Sequence, residues 1–296
     1  MNVRVVDRFN RPISNLSKND FKVFEDRVPQ QITYFSQREV PINYSLVIDN
    51  SGSLRFQLEK VIEASKIIVG TNKPEDETGV IRFISSNKIE ILQDFTNDRT
   101  DLFDALDNMF VEGGQTAIID AVYLAAEKVN EYEKTANPND RKRRALILVS
   151  DGEDRASFYK EEQLFELLRE TDVQIYAIGF VNELDKSGGI IRKSDFKKAK
   201  NFLTRLSEET GGKAYFPNSL GELNGIATDI AKELRTQYLL SYEPTNPDKD
   251  GTFRNIKVTV NDGPNKQKRI AIARTGRVVE KETNSNNPPS FQNSNN

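Results

Sequence analysis

A chain of 296 residues, 36% hydrophobic and 29% charged, is long enough for one large α/β domain with appendages, and no stretch approaches the roughly 20 apolar residues that span a bilayer. Forty-two basic against 45 acidic residues leave a net charge of −3, which argues against a broad electrostatic footprint for nucleic acid. Cysteine and histidine are both absent, which removes thiolate nucleophiles, Ser-His-Asp and Cys-His triads, structural zinc sites, and haem and iron–sulfur ligation in their usual forms.

The opening Met1-Asn2-Val3-Arg4-Val5-Val6 has no apolar signal core and starts in a strand pattern, so the chain reads as beginning inside a longer natural protein, its export signal missing. Residues 1–40 form a small β unit. Val3 and Val5 alternate with arginine, Asp7 to Pro12 is a turn, and Phe21 to Phe24 and Ile32 to Phe35 are two further short strands. Three such strands are too few to stand alone.

From Asn43 strands alternate with helices. Tyr44 to Ile48 is a buried strand, and Leu58, Val61, Ile62, Ser65 and Ile68 stripe a helix ending near Gly70. Gly79 to Ile84 and Ile89 to Phe95 read as a hairpin that sets one antiparallel strand at the sheet edge. Leu102 to Leu106 make a short helix, and Ile118, Val122, Ala125 and Val129 stripe a longer one. Asn137 to Arg144 is a polar connector, with Arg141 to Arg144 read as surface. Ala145 to Val149 and Val173 to Ile178 are apolar strands separated by a helix around Leu164, Leu167 and Leu168. Continuous apolar runs separated by helices predict a doubly wound, mostly parallel sheet covered on both faces.

Val181 to Lys200 is read as a long basic loop, with Lys186, Arg192, Lys193, Lys197, Lys198 and Lys200, rising from the carboxyl end of a strand. A helix from Asn201 stops at Gly211-Gly212. Lys213 to Phe216 is a short strand, and Leu223, Ile226, Ile230 and Leu234 stripe the last helix. Beyond it, Tyr238 to Tyr242, Ile256 to Val260 and Arg269 to Ala273 are alternating strands. Neither terminal β piece is self-sufficient. The expected organisation is therefore a small β-sandwich built from residues 1–40 and 237–280, with the α/β unit, 41–236, inserted into it, and a disordered Asn/Ser/Pro-rich tail at 281–296.

The chemistry concentrates at strand ends. Leu46-Val47-Ile48-Asp49-Asn50-Ser51-Gly52-Ser53 is an apolar run that stops in a carboxylate and two hydroxyls at alternate positions; alone it is either a polar turn or a set of hard oxygen ligands. A second apolar strand stops in Ser150-Asp151-Gly152, and Gly113-Gly114-Gln115-Thr116 puts a hydroxyl at the mouth of a helix. In an open parallel sheet, ligands bind beyond the carboxyl ends of the strands, so three segments supply Asp, Ser, Ser, Thr and Asp to one rim.

On these residues, residues 42–236 resemble a von Willebrand factor type A (VWA) domain with a metal-ion-dependent adhesion site (MIDAS). The family's Asp-x-Ser-x-Ser matches Asp49, Ser51 and Ser53, its loop threonine matches Thr116, and its distal aspartate matches Asp151. The flanks, Asn19 to Asp26 and Gln237 to Pro244, resemble the bacterial VWFA-related proteins.

The resemblance implies a Rossmann-like fold and a non-enzymatic, adhesion-type binding module in a secreted or otherwise extracytoplasmic bacterial setting. It also implies magnesium, with manganese or calcium as alternatives, held by Asp49, Ser51, Ser53, Thr116 and Asp151, and a partner that completes the shell with a carboxylate. The last helix, which can slide on ligand binding in that family, is read here as static. Two other readings stand beside this one. A metal-dependent phosphoester hydrolase would use Asp49 or Ser51 as nucleophile, but would need a carboxylate or lysine as acid–base group in a histidine-free chain. The other is a subunit with a purely structural ion.

Overall fold

The structure is a computed structural model and describes residues 1–37, 39–135, 142–181 and 190–279. At its centre lies β5 (Ile42–Asp49), whose eight residues are all buried because parallel neighbours flank it on both sides, β6 (Glu77–Ser85) and β8 (Arg143–Ser150). With β7 (Lys88–Thr96), β9 (Val173–Gly179) and β10 (Lys213–Tyr215) they form a six-stranded sheet of order β10-β9-β8-β5-β6-β7. All neighbouring strands are parallel except the edge hairpin β6–β7, as the sequence predicts.

Because side chains alternate across a strand, β5 feeds two cores. Leu46 and Ile48 pack on one face with α1 (Leu58–Gly70), α2 (Arg99–Asp107) and the last helix, α6 (Leu223–Arg235). Val47 packs on the other with α3 (Ile118–Thr135), α4 (Glu161–Glu170) and α5 (Ile190–Thr210). The connection after β9 differs from expectation. Helix α5 starts at Ile190, not Asn201, so Lys197, Lys198 and Lys200 lie on a helix rather than in a loop. The side chains of Arg192 and Lys193, and Lys186 altogether, lie outside the described residues.

The terminal segments combine into two antiparallel four-stranded sheets. One, of order β13-β1-β11-β4, holds β1 (Asn2–Asp7), β4 (Ile32–Ser36), β11 (Tyr238–Tyr242) and β13 (Arg269–Ala273). The other, β14-β12-β2-β3, holds β2 (Phe21–Glu25), β3 (Val28–Gln30), β12 (Phe253–Val260) and β14 (Gly276–Val278). Their shared core includes Val3, Val5, Phe21, Val23, Tyr238, Leu240 and Val258. Strands β3 and β14, three residues each, are too short to leave a sequence period and are additions to the expected set. The expected tail at 281–296 lies outside the described residues.

The seam between the two units corrects a sequence reading. Arg143 is 2% exposed, not a surface residue: its guanidinium donates to the Leu234 carbonyl at the end of α6 and to Asn2 Oδ1 (3.3 Å), and burial pushes its pKa down to about 10. Arg144 is half-buried and donates to Asn130 Oδ1 (2.8 Å), and Arg141 lies outside the described residues. Arg4, on the face of β1 opposite Val3 and Val5, is likewise buried and pairs with Glu233 of α6 while donating to the Gly212 carbonyl (2.8 Å).

Candidate metal-binding rim

Strands β5 and β8 end side by side, and each ends in an aspartate that closes a tight turn on itself. The Asp49 Oδ1 accepts the Ser51 N–H (2.9 Å), and the Asp151 Oδ1 accepts the Glu153 N–H (3.0 Å). A short acid at a strand end does this because its carboxylate reaches the backbone two residues on. Past Asp49 the chain continues one step along the sheet, with the Asn50 N–H on the Phe83 carbonyl (2.9 Å), before Gly52–Leu54 turns into a 3-10 helix. Past Asp151 it passes through Gly152 at φ +81°, where a Cβ would lie 2.9 Å from Leu203 and 3.1 Å from the Ala199 carbonyl. Conformation and space both demand glycine there.

The third segment docks on the second. Thr116 is buried, and its carbonyl accepts the Arg155 N–H (2.8 Å) and the Ala156 N–H (3.2 Å), which fixes the mouth of α3 against the loop after β8. Of the two glycines before it, Gly114 makes the close approach, since a Cβ there would lie 2.3 Å from Ile84 Cγ2. Gly113 faces open space.

Four of the five sequence-predicted residues, Asp49, Ser51, Thr116 and Asp151, therefore sit buried on these three linked segments at one end of the sheet. The fifth, Ser53, has its backbone in the 3-10 turn, and its side chain lies outside the described residues.

Two supporting residues, Ser150 and Asp120, escaped the sequence reading, and a third, Asp154, takes a part the sequence did not assign it. The Ser150 hydroxyl, fully buried, donates to Asp49 Oδ2 (2.8 Å) and accepts the Gly152 N–H (3.0 Å). Asp120, in the first turn of α3, accepts the Phe158 and Tyr159 N–H groups, both at 2.8 Å. Asp154 accepts the Ile119 N–H (3.3 Å) and the Ser157 hydroxyl (2.5 Å). An acid at a helix start and a serine beside an aspartate were visible in the sequence, but nothing in it said which backbone each would meet.

The electrostatics are those of a site short of positive charge. Burial, and then the neighbouring Asp151 carboxylate, push the Asp49 carboxyl up to about 7, against hydrogen bonds from Ser51 and Ser150 that favour the charged form. Among the described residues no lysine or arginine pairs with either aspartate; the arginine on the same loop, Arg155, pairs with Glu153 instead. Two buried carboxylates and two hydroxyl residues are hard oxygen donors and fit a magnesium-like ion. Clusters of three or more acidic, histidine or cysteine side chains suited to a metal are absent among the described residues, so any ion here would depend on neutral oxygens as well.

Residues 45–187 match the family model of the von Willebrand factor type A domain, a span that includes all five candidate residues. No curated protein matches the sequence. Among solved structures, proximal thread matrix protein 1 from the mussel byssus shares 19% identity, with 66% of this chain and 48% of that one covered at a TM-score of 0.51. The pilus adhesin SpaC from Lactobacillus rhamnosus GG shares 11%, with 77% and 36% covered, also at 0.51. A further structure of the mussel protein, described as having a zinc-occupied MIDAS motif, is 20% identical over 66% of this chain and 48% of that one, at a TM-score of 0.48. The match thus spans about half of the mussel protein and about a third of the adhesin, and at these identities the likeness is one of fold.

Proposed function

The α/β unit has the von Willebrand factor type A fold, and we propose that it serves as a metal-dependent, non-enzymatic binding module. In this reading Asp49, Ser51, Ser53, Thr116 and Asp151 hold a divalent cation, magnesium in the first instance with manganese or calcium as alternatives, and a carboxylate of a protein partner binds through it. Bound there, the ion supplies an electrophilic position for an incoming oxygen ligand. The chain's own part is to keep the two aspartates buried, to orient them through Ser150 and the two strand-end turns, and to present the hydroxyls.

The observation that carries this reading is the pair of buried carboxylates left without a cationic partner among the described residues, one of them with its carboxyl pushed up to about 7. A pair with no such function would be costly to bury and cheap to replace. A location outside the cytoplasm belongs to the same proposal and is checked by fractionating the native host.

The test is thermal unfolding in magnesium, in chelator, and for Asp49→Ala. At a metal concentration 100 times the Kd, occupation stabilises by about 2.7 kcal/mol, a rise of several degrees in Tm for a chain of this size. The wild type should show that rise and Asp49→Ala should not. An unchanged midpoint across all three would remove the metal from the reading. Phosphoester turnover that disappears in Asp49→Ala would replace the binding module with a hydrolase.

A further inference from the structure

Polar chemistry alone does not describe the rim. The two most exposed large apolar side chains among the described residues, Phe56 (85%) and Phe158 (81%), both belong to it, and Phe110 (55%) joins them. Each lies on a different one of the three segments that carry the candidate ligands. Phe56 follows the turn after Asp49, Phe110 precedes Gly113-Gly114, and Phe158 is on the loop after Asp151.

The backbone at Phe110 and Phe158 is hydrogen-bonded in place. The Asn50 side-chain amide donates to the Phe110 carbonyl, the Glu112 N–H donates to the Asn50 carbonyl (3.3 Å), and Asp120 clamps the Phe158 N–H (2.8 Å). Arg82 lies over the Phe110 ring, 4.8 Å from its centroid. Phe9, the next most exposed, lies instead at the turn after β1, outside these three segments.

The charges around these rings narrow the occupant. Near the rim Lys88 pairs with Glu112, Arg82 with Glu90 and Glu112, and Arg155 with Glu153; Arg55, beside Phe56, and Lys198 carry no ion pair among the described residues, against the unpaired acids Asp49, Asp151 and Asp154. That balance disfavours a polyanion or an anionic bilayer, whose many charges would meet these acids. It does suit one carboxylate delivered to the ion by a segment whose neighbouring side chains are neutral and apolar.

Resting on the metal-bridged reading above, we propose that Phe56, Phe110 and Phe158 form an aromatic collar that selects a protein segment presenting an acidic side chain between apolar ones. Burying such rings against apolar flanks adds affinity that a bare carboxylate on a metal cannot supply.

Three capped, immobilised peptides test it by surface plasmon resonance in magnesium: a central glutamate between pairs of leucines, the same glutamate between pairs of serines, and a central glutamine between pairs of leucines. The leucine-flanked glutamate should bind at least about tenfold tighter than either of the others. In Phe56→Ser/Phe158→Ser that preference should fall to about twofold or less, while the magnesium-induced rise in Tm persists.

Equal binding of the two glutamate peptides, equal binding of the glutamine peptide, a preference unchanged in the double variant, or no binding by any peptide while magnesium still stabilises the chain would each overturn the collar and leave the metal site standing. So would magnesium-dependent self-association, or binding to phosphatidylglycerol vesicles, that the double variant loses. Absence of any magnesium effect on Tm would instead overturn the metal reading and the collar with it.

Discussion

Asp49 is asked to be two things at once, a buried side chain and a charged one. Its folded carboxyl titrates near 7 and an unfolded one near 3.8, so in the metal-free protein the folded state keeps a proton that the unfolded chain releases. The sign follows: stability in chelator should fall as pH rises from about 4 to about 7 and level off above, by up to about 1.4 kcal/mol per pH unit inside that window. Saturating magnesium should flatten the decline, because a bound cation favours the charged form, and Asp49→Asn should flatten it without any metal. Urea unfolding between pH 4 and 8 reads both; a wild-type stability that climbs over this window in chelator would contradict the assignment.

Gly114 is a second single-residue test. A methyl group there meets Ile84 at 2.3 Å, so Gly114→Ala should cost about 1–3 kcal/mol of stability and weaken the magnesium response by displacing Thr116, whereas Gly113→Ala, into open space, should do neither. At this scale the sequence was most informative. Strand ends and glycines mark where oxygens and backbone converge, so Asp49, Ser51, Thr116 and Asp151 were readable as a group. The roles of Ser150 and Asp120 depend on the partners they meet, the Asp49 carboxylate 101 residues back and the Phe158 amide 38 residues on, and no local pattern encodes that.

Among the elements, α6 shows most clearly what periodicity can and cannot say. Leu223, Ile230 and Leu234 pack into the sheet core as their spacing predicts, yet Glu233, which the same pattern sends outward, is 1% exposed and pairs with Arg4 and Lys213. A stripe predicts which face meets its own sheet, but a second unit packed on the opposite face leaves no trace in the period. The same blindness accounts for Arg143, read as surface, and for Arg4 on β1, each buried where the two units meet. It differs from the misplaced start of α5, where a basic run from Lys186 to Lys200 obscured eleven residues of helix.

The buried pair makes a sharp prediction. Glu233→Ala leaves Arg4 in the interior without its carboxylate and should cost about 3–5 kcal/mol, whereas Arg4→Met with Glu233→Leu should recover most of that loss. If the single and double variants unfold at the same denaturant concentration, the pair is not what fixes α6. These ties run from α6 to β1 and, through Arg143, from its last turn to β8, and they fasten the end of the helix to both units.

For the molecule as a whole, the two units share their chain ends and their polar interior. Strand β1, from the first residues, lies between β11 and β13, from after α6, so the sandwich is built from the chain on both sides of the α/β unit, and a folded α/β unit lowers the entropy cost of bringing those ends together. The seam is then closed by Arg143, by the Gln237 side-chain amide on the Tyr176 hydroxyl (2.9 Å), by Arg274 on Asp172 (3.3 Å) and the Arg169 carbonyl (2.6 Å), and by the Thr275 N–H on the Glu209 carbonyl (3.2 Å). Opening it would leave Arg4, Arg143 and Glu233 partly unpaired, a cost that ties the folding of one unit to the other.

Calorimetry should therefore show one transition, and magnesium should move all of it even though the ion's candidate ligands lie at the carboxyl end of one sheet. Tyr238→Ala, deep in the sandwich core at 1% exposure, should lower that same transition by about 3–5 kcal/mol and leave the magnesium increment unchanged. Two transitions, of which magnesium moves one and Tyr238→Ala the other, would show that the seam does not couple the units.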